Sequence, residues 1–474
     1  MRAPLLITLL LICSGCSQSG RIVGAAPAEL AKPEGIDVLF NHRDGSRYRS
    51  PISGEWRNGD DLEQALIDAI DSAEREILVA IQQLTLPKLA KALIAAQGRG
   101  VQVQVILENT YNIRWSRQQA AHLPRHARQR LQRLRQLADR NGDGITTSRE
   151  AADADAVALL QQAGIPLIDD TEDGSRGSGL MHHKFIVIDG VQLLTGSANA
   201  TSSGIHGDAG AATSRGNVNH LLSIRSQELA DLFRQEFQRM WGDGPGREKD
   251  SLFGLAKNSD GVKTVMVGHT RIDVLFAPHR KHEPLHGLTW LGDQLATAER
   301  SIDLALFVFS AQQLTSVLEE SVEAGVEVRL LADPGFASRP YSEVLDLLGV
   351  TLPDRDCNVE RGNQPLEQPL KGVGIPRLAR GDKLHHKFAV IDNRKVITGS
   401  FNWSPAAAHT NDETLLVIHS SQLAKHFTRE MDRLWDTAEL GITPHLQRKL
   451  NRQKIRCGDG VVRDLASWRE GRVA

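Results

Sequence analysis

The sequence has almost no net charge, 56 Lys and Arg against 58 Asp and Glu, a formal −2. Nothing global therefore draws the chain to a polyanion, and contact with nucleic acid or membrane needs a local patch. Long hydrophobic runs are missing as well: the apolar stretch near the start, Leu5 to Ile12, is too short to span a bilayer. Cysteine is scarce. Of four in the chain, Cys357 and Cys457 stand far downstream, and the sequence leaves open whether they meet. What is present, 41% apolar and 24% charged side chains over 474 residues, is globular material, enough for two or three domains with substantial cores and unlike a disordered chain.

Self-similarity organises the rest. "IDVLF" at Ile36 returns at Ile272, "SAEREILVAI" at Ser72 as "TAERSIDLAL" at Thr297, and "GVQVQVILE" at Gly100 as "GVEVRLLAD" at Gly325. "MHHKFIVIDGVQLLTGSAN" at Met181 returns as "LHHKFAVIDNRKVITGSFN" at Leu384, and "LADLFRQEFQRMW" at Leu229 as "LAKHFTREMDRLW" at Leu423. The order is kept throughout, so the chain is a tandem duplication. The first repeat covers 35–241 and the second 271–435, with a Gly-rich polar linker at 242–270 and a basic tail at 436–474.

Helical and strand periods alternate within each half. "DDLEQALIDAIDSAE" spaces Leu62, Leu66, Ala69 and Ile70 for an amphipathic helix, and "REILVAI" and "VQVQVIL" read as strands. "KFIVID" and "KFAVID" are continuous apolar runs suited to strands buried on both faces. The expected fold is α/β, two tandem domains, each a mixed β-sheet flanked by helices.

The repeated string reads H-x-K-x4-D and then G-S-x-N. On a strand His182 and Lys184 share a face, as do His385 and Lys387, while His183 and His386 point away. Asp189 and Asp392 fall at the turn ending the apolar run and read as structural. Each returning strand ends in Gly-Ser-x-Asn: glycine admits a backbone close to a ligand, and Ser197, Asn199, Ser400 and Asn402 are donors suited to phosphate oxygens. One such string alone would be structural more often than not. Two, joined across a pseudo-two-fold axis, gather imidazoles and ammoniums into one anion site with a group to attack phosphorus and a group to protonate a leaving oxygen.

These paired motifs closely resemble the signature of the phospholipase D superfamily, over nearly all of Gly35 to Trp435. The resemblance implies a metal-independent phosphodiesterase working through a phosphohistidine, with the site between the halves in one monomeric chain and no cofactor for catalysis. It implies His182 as nucleophile, His385 as acid and base, and phosphate held by Lys184, Lys387, Asn199 and Asn402 with Ser197 and Ser400 in support. It also implies that Glu413, in "NDETLLVI", crosses over to orient His182. The matching first-half stretch, "NVNHLLSI", has Asn219 there. An amide raises imidazole basicity less than a carboxylate does, which favours His182 as attacker.

The N-terminus resembles a bacterial lipoprotein signal: residues 1–15 precede Cys16, the residue to be acylated, and 16–34 form a tether. An ordinary cleaved signal is the alternative. An acylated Cys16 would anchor the protein in the cell envelope, with Ser17 favouring an outer membrane. An insertion at about 112–165 lengthens the first half. Inside it "DRNGDGITTSRE", 139–150, resembles an EF-hand loop, with Asp139, Asn141, Asp143, Thr147 and Glu150 and the carbonyl of Ile145 as calcium ligands and Gly144 at the turn. An acidic turn that binds nothing is the alternative, and calcium there would be structural. The preceding helix carries Arg125, Arg128, Arg130, Arg133 and Arg135 around Leu131, Leu134 and Leu137, either a solvated face or one that meets lipid head groups or nucleic acid. Three functions follow: a phospholipid phosphodiesterase, favoured by the tether and the absent net positive charge; an exported non-specific nuclease; and a non-catalytic calcium-binding lipoprotein, disfavoured by two intact motifs. Cardiolipin synthases share the motifs and resemble the chain less, because the sequence has no paired N-terminal membrane spans.

Overall fold

In the computed structural model, which describes residues 29–458 apart from 212, 247 and 259, the repeats form two sheets of one strand order. The first runs Ile36–Phe40, His220–Arg225, Gln192–Gly196, Lys184–Ile188, Glu76–Ile81, Gln102–Leu107, Leu167–Asp169. The second runs Thr270–Ala277, Glu413–His419, Lys395–Gly399, Lys387–Ile391, Ser301–Leu306, Glu327–Ala332, Val373–Ile375, with Lys263–Val267 and Glu439–Leu440 added at its edges. Strands joined through helices pair in parallel and those joined by hairpins antiparallel. The mixed α/β reading is what the structure shows.

Local chemistry accounts for the elements. Leu62–Asp71 is a helix because Asp61 caps it, accepting the Gln64 N–H, and because Leu62, Leu66, Ala69 and Ile70 fall on its buried face. The two K-F-x-V-I strands are buried at every position, since each lies mid-sheet with packing on both faces. One core holds residues of both halves: Phe185 and Phe233 from the first share it with Phe388, Phe427 and Met431 from the second. The long helices Gln227–Trp241 and Ser421–Trp435 supply much of it. Burying that layer locks the two halves together, so a site between them is rigidly held.

Three features differ from the expected outline. The linker is partly sheet: Lys263–Val267 forms a hairpin with Thr270–Ala277 and buries Val265 and Val267, a β-branched alternation that has no counterpart in the other repeat. The tail also folds, as the strand Glu439–Leu440 and the helix Pro444–Cys457, which a Cys357–Cys457 disulfide ties to the second domain. In the insertion, "SREAADADAVALLQQAG", which by its pattern reads as one helical stretch after the acidic loop, breaks into Ser148–Ala154 and Ala156–Gln162, because Asp155 ends one and caps the other while also accepting from Ser116. Cys16 and the signal lie outside the described residues. Among the described residues no helix is long and apolar enough to cross a membrane.

Candidate active site

The halves exchange chain just before each H-x-K strand. Met181 bridges to Asp412 and Val218 to Leu384, with His182 N–H donating to the Asp412 carbonyl at 2.9 Å and His385 N–H to that of Val218 at 3.0 Å. This crossing sets the residue after Asp412 against His182 and the residue after Val218 against His385.

Accordingly Glu413 Oε2 lies 2.7 Å from His182 Nδ1, and Asn219 Oδ1 lies 3.0 Å from His385 Nδ1. The amide of Asn219 is held one way round, because its Nδ2 donates to the Gly204 carbonyl at 2.8 Å. Its oxygen therefore faces His385, whose Nδ1 also meets the Ser197 carbonyl at 3.1 Å. Two acceptors make that Nδ1 an N–H, and the carboxylate does the same for His182. Both rings thus keep Nε2 free. Behind the imidazoles the two sites differ in charge, a carboxylate behind one and an amide behind the other.

The serines, expected to support the phosphate, bond to the groups behind the two histidines. Ser400 Oγ donates to Glu413 Oε2 at 2.6 Å and Ser197 Oγ to Asn219 Oδ1 at 2.7 Å, and each accepts a backbone N–H from the next strand. Their hydroxyl protons are spent on the groups that orient the histidines. The motif glycines lie hard against the next strand: a Cβ on Gly196 would lie 2.4 Å from the His220 carbonyl oxygen and one on Gly399 2.2 Å from that of Thr414. Both admit a neighbouring strand. Asp189 and Asp392 each accept three backbone N–H groups, from Glu74, Arg75 and Glu76 and from Glu299, Arg300 and Ser301, which ties the start of the neighbouring strand to the turn. Burial pushes both carboxyls up, but those donors hold them below the usual range.

Lys184 and Lys387 are buried, their Nζ donating to the carbonyls of His182 at 2.7 Å and His385 at 2.8 Å. Asn199 and Asn402 are half-buried, and the Oδ1 of each is a buried acceptor with no partner. Burial brings Lys184 down to about 7, and burial with the Lys184 charge holds Lys387 well below its ordinary value. Burial and then the lysine charges keep both His182 and His385 well below the imidazole range. Glu413 is pushed up to about 7 by burial, against the pull of Lys184. Cations crowded out of water beside a single carboxylate form a site that an anion would stabilise.

Several residues around the site were given no role from the duplicated string. Asn411 Nδ2 donates to Glu413 Oε1 at 3.2 Å; Asn217 occupies the matching position, so the repeat could have marked it. His183 and His386, on the far face, meet Glu236 and Glu430 at 3.3 and 3.0 Å. Lys257 ion-pairs with Asp412 at 2.7 Å and also with Glu236. It lies in the linker, outside any repeated block. Phe307 packs on the His385 ring, centroids 4.6 Å apart.

The loop 139–150 joins the helices Arg125–Ala138 and Ser148–Ala154, and Gly144 takes a positive φ of 81° at its turn. The donors fit calcium in kind, being hard oxygens in the right order. They are turned inward: Asp139 accepts from Gly142 and Gly144, Asp143 from Ile145, and Glu150 from Arg140 and Thr147. In the helix before it, Arg130 stacks on Tyr111 at 4.5 Å and Arg133 pairs with Asp208 at 3.8 Å, while Arg125 and Arg128 are exposed.

Comparison with known proteins agrees with this geometry. The family model described as "Cardiolipin synthase, PLD-like domain" matches residues 66–241 and 291–435. The Xenopus laevis mitochondrial cardiolipin hydrolase is 29% identical over 163 residues, 33% of this chain and 66% of that protein. A phospholipase D of Rickettsia conorii is 26% identical over 161 residues, 34% of this chain and 68% of that one. The first relatives are thus matched over 55–66% of their own length. The crystal structure of the Haemophilus influenzae phosphatidylserine synthase superposes with a TM-score of 0.52 at 13% identity, covering 91% of this chain and 96% of that one, a likeness of fold.

Proposed function

The chain belongs to the phospholipase D superfamily, and from that premise we propose that it hydrolyses the head-group phosphodiester of phospholipids through a phosphohistidine. The observation behind the reading is the unequal pair of imidazoles, His182 on Glu413 and His385 on Asn219, each with a free Nε2. A phosphodiester entering between Lys184 and Lys387 offsets the lysine charges that, together with burial, keep the histidines neutral. His182 Nε2 attacks phosphorus, and the cation forming on its ring is stabilised by the Glu413 carboxylate. His385, protonated once the anion is in place, gives its Nε2 proton to the departing alcohol oxygen. It then takes a proton from water, whose oxygen displaces His182 from phosphorus. The amide nitrogens of Asn199 and Asn402 hold the phosphate oxygens.

The lipid substrate is supported by the names of the relatives. We further propose that Cys16 is acylated, anchoring the protein in the cell envelope, and that loop 139–150 takes a structural calcium ion. Hydrolysis of phospholipid vesicles, measured beside single-stranded DNA with EDTA present, tests the function. Release of head groups without DNA cleavage is expected; the reverse would make the protein a nuclease.

A further inference from the structure

The mouth of the site carries a cation that the duplication does not repeat. Lys383 stands two residues before His385 and four before Lys387, so all three side chains share one face of the extended chain. Phe307 records the alignment: its ring is 5.4 Å from Lys383 Nζ, 4.6 Å from the His385 ring and 5.0 Å from Lys387 Nζ. In the first half the matching position is Leu180. The one-sidedness is therefore a property of the His385 side alone.

The backbone of Lys383 is fixed while its ammonium is left for solvent. Its N–H donates to Asn217 Oδ1 at 3.0 Å and its carbonyl accepts from Val218 at 2.8 Å, both from the other half. The side chain is exposed. Among the described residues no carboxylate pairs with it within 4.0 Å. Asp333, whose carboxyl is pushed up by burial against the pull of the Lys383 charge, turns its oxygens to the N–H groups of Gly335, Phe336 and Leu384. Asp382 spends its own oxygens on Ser214 and the Arg215 N–H. Lys383 is near enough to the reacting groups that its charge acts on both His385 and Lys387.

In-line attack by His182 drives the leaving oxygen out toward His385. A cation beyond His385 on the same face meets whatever that oxygen is attached to. We propose that Lys383 is the specificity-determining residue for the leaving group, selecting phospholipids whose departing alcohol carries a phosphate of its own. The inference rests on the phospholipid reading and on His385 as the acid. It separates two lipids with the same glycerol linkage at the scissile bond: cardiolipin, whose leaving alcohol bears a second phosphate, and phosphatidylglycerol, whose leaving glycerol is neutral.

The test compares kcat/KM of the full chain on each lipid, held at equal fraction in phosphatidylcholine vesicles, for wild type, Lys383→Met and Lys383→Arg, with single-stranded DNA as a third substrate. The expected result is a cardiolipin-to-phosphatidylglycerol preference that falls about tenfold or more in Lys383→Met, the scale of a lost charge-assisted contact, and returns in Lys383→Arg. Hydrolysis of both lipids with that ratio unmoved overturns the role of Lys383 and leaves the phospholipid reading standing. Hydrolysis of neither lipid by wild type overturns both. DNA cleavage that depends on Lys383 while the lipids stay intact assigns the second phosphate to a nucleic acid and overturns the lipid class.

Discussion

Replacing Glu413 with Gln isolates the charge behind the nucleophile from the geometry that holds it. Oε2 accepts from His182 Nδ1 at 2.7 Å and Ser400 at 2.6 Å, whereas Oε1 accepts one weaker bond, from Asn411 at 3.2 Å. A glutamine oxygen at the Oε2 position keeps both short bonds and sets its NH2 against that of Asn411, losing the long one. The imidazole then keeps its tautomer, as His385 does on Asn219. What disappears is the negative charge that stabilises the cation formed as Nε2 bonds to phosphorus. Such orienting and acid–base groups contribute about 10² to 10⁴ in rate. With geometry retained the loss should sit near the lower end, about 10² in kcat/KM, or roughly 2.7 kcal/mol at ~1.36 per decade. Glu413→Ala, which strips the bonds too, should fall nearer 10⁴. Hydrolysis of bis(p-nitrophenyl) phosphate followed against pH reads both effects. In wild type the rate should climb as pH rises through about 7, where the buried Glu413 ionises, and the Gln variant should lose that limb. A Gln variant within threefold of wild type, or one that keeps the limb while thermal melting shows an intact fold, refutes the argument.

Lys184, held at about 7 in the folded chain against an ordinary 10.5, makes the unfolded state bind more protons between those values, so this group's contribution to stability rises with pH across that window; the stability difference between wild type and Lys184→Met should shift accordingly, and parallel curves would reject the burial account. Cys357 and Cys457 close a loop of sequence separation 100, for which the chain-entropy model gives about 4.7 kcal/mol; Cys357→Ser/Cys457→Ser should melt well below wild type, and equal melting would show the pairing to be idle. Calcium should raise the melting temperature of wild type but not of Glu150→Gln, with hydrolysis surviving EDTA; a wild-type melt indifferent to calcium rejects the site. Cys16→Ser should move the protein from the membrane to the soluble fraction, and unlipidated soluble wild type would contradict the anchor.

Fold and site were legible in the sequence wherever a repeat met a period. Parity along K-F-x-V-I put His182 with Lys184 and turned His183 away, and the mismatch of Glu413 with Asn219 located the difference in charge behind the two imidazoles. The acceptors of the serines were not legible, because a hydroxyl beside a phosphate motif has several possible partners, and one is chosen only when the next strand lies alongside. The same holds for Gly196 and Gly399, each constrained by a carbonyl of the neighbouring strand. Lys257 escaped because comparing repeats says nothing about a residue between them. The Cys357–Cys457 pairing depends on a tail helix whose return to the second domain no local pattern marks.

The central claim is the division of labour between His182 and His385, and rapid-quench trapping of the phosphoenzyme with peptide mapping tests it most directly. Labelled phosphoryl should be found on His182, be lost in His182→Ala, and accumulate in His385→Ala when the substrate has a p-nitrophenolate leaving group that needs little protonation. Label on His385 in the wild-type protein, or full turnover with no label on either histidine, would contradict it.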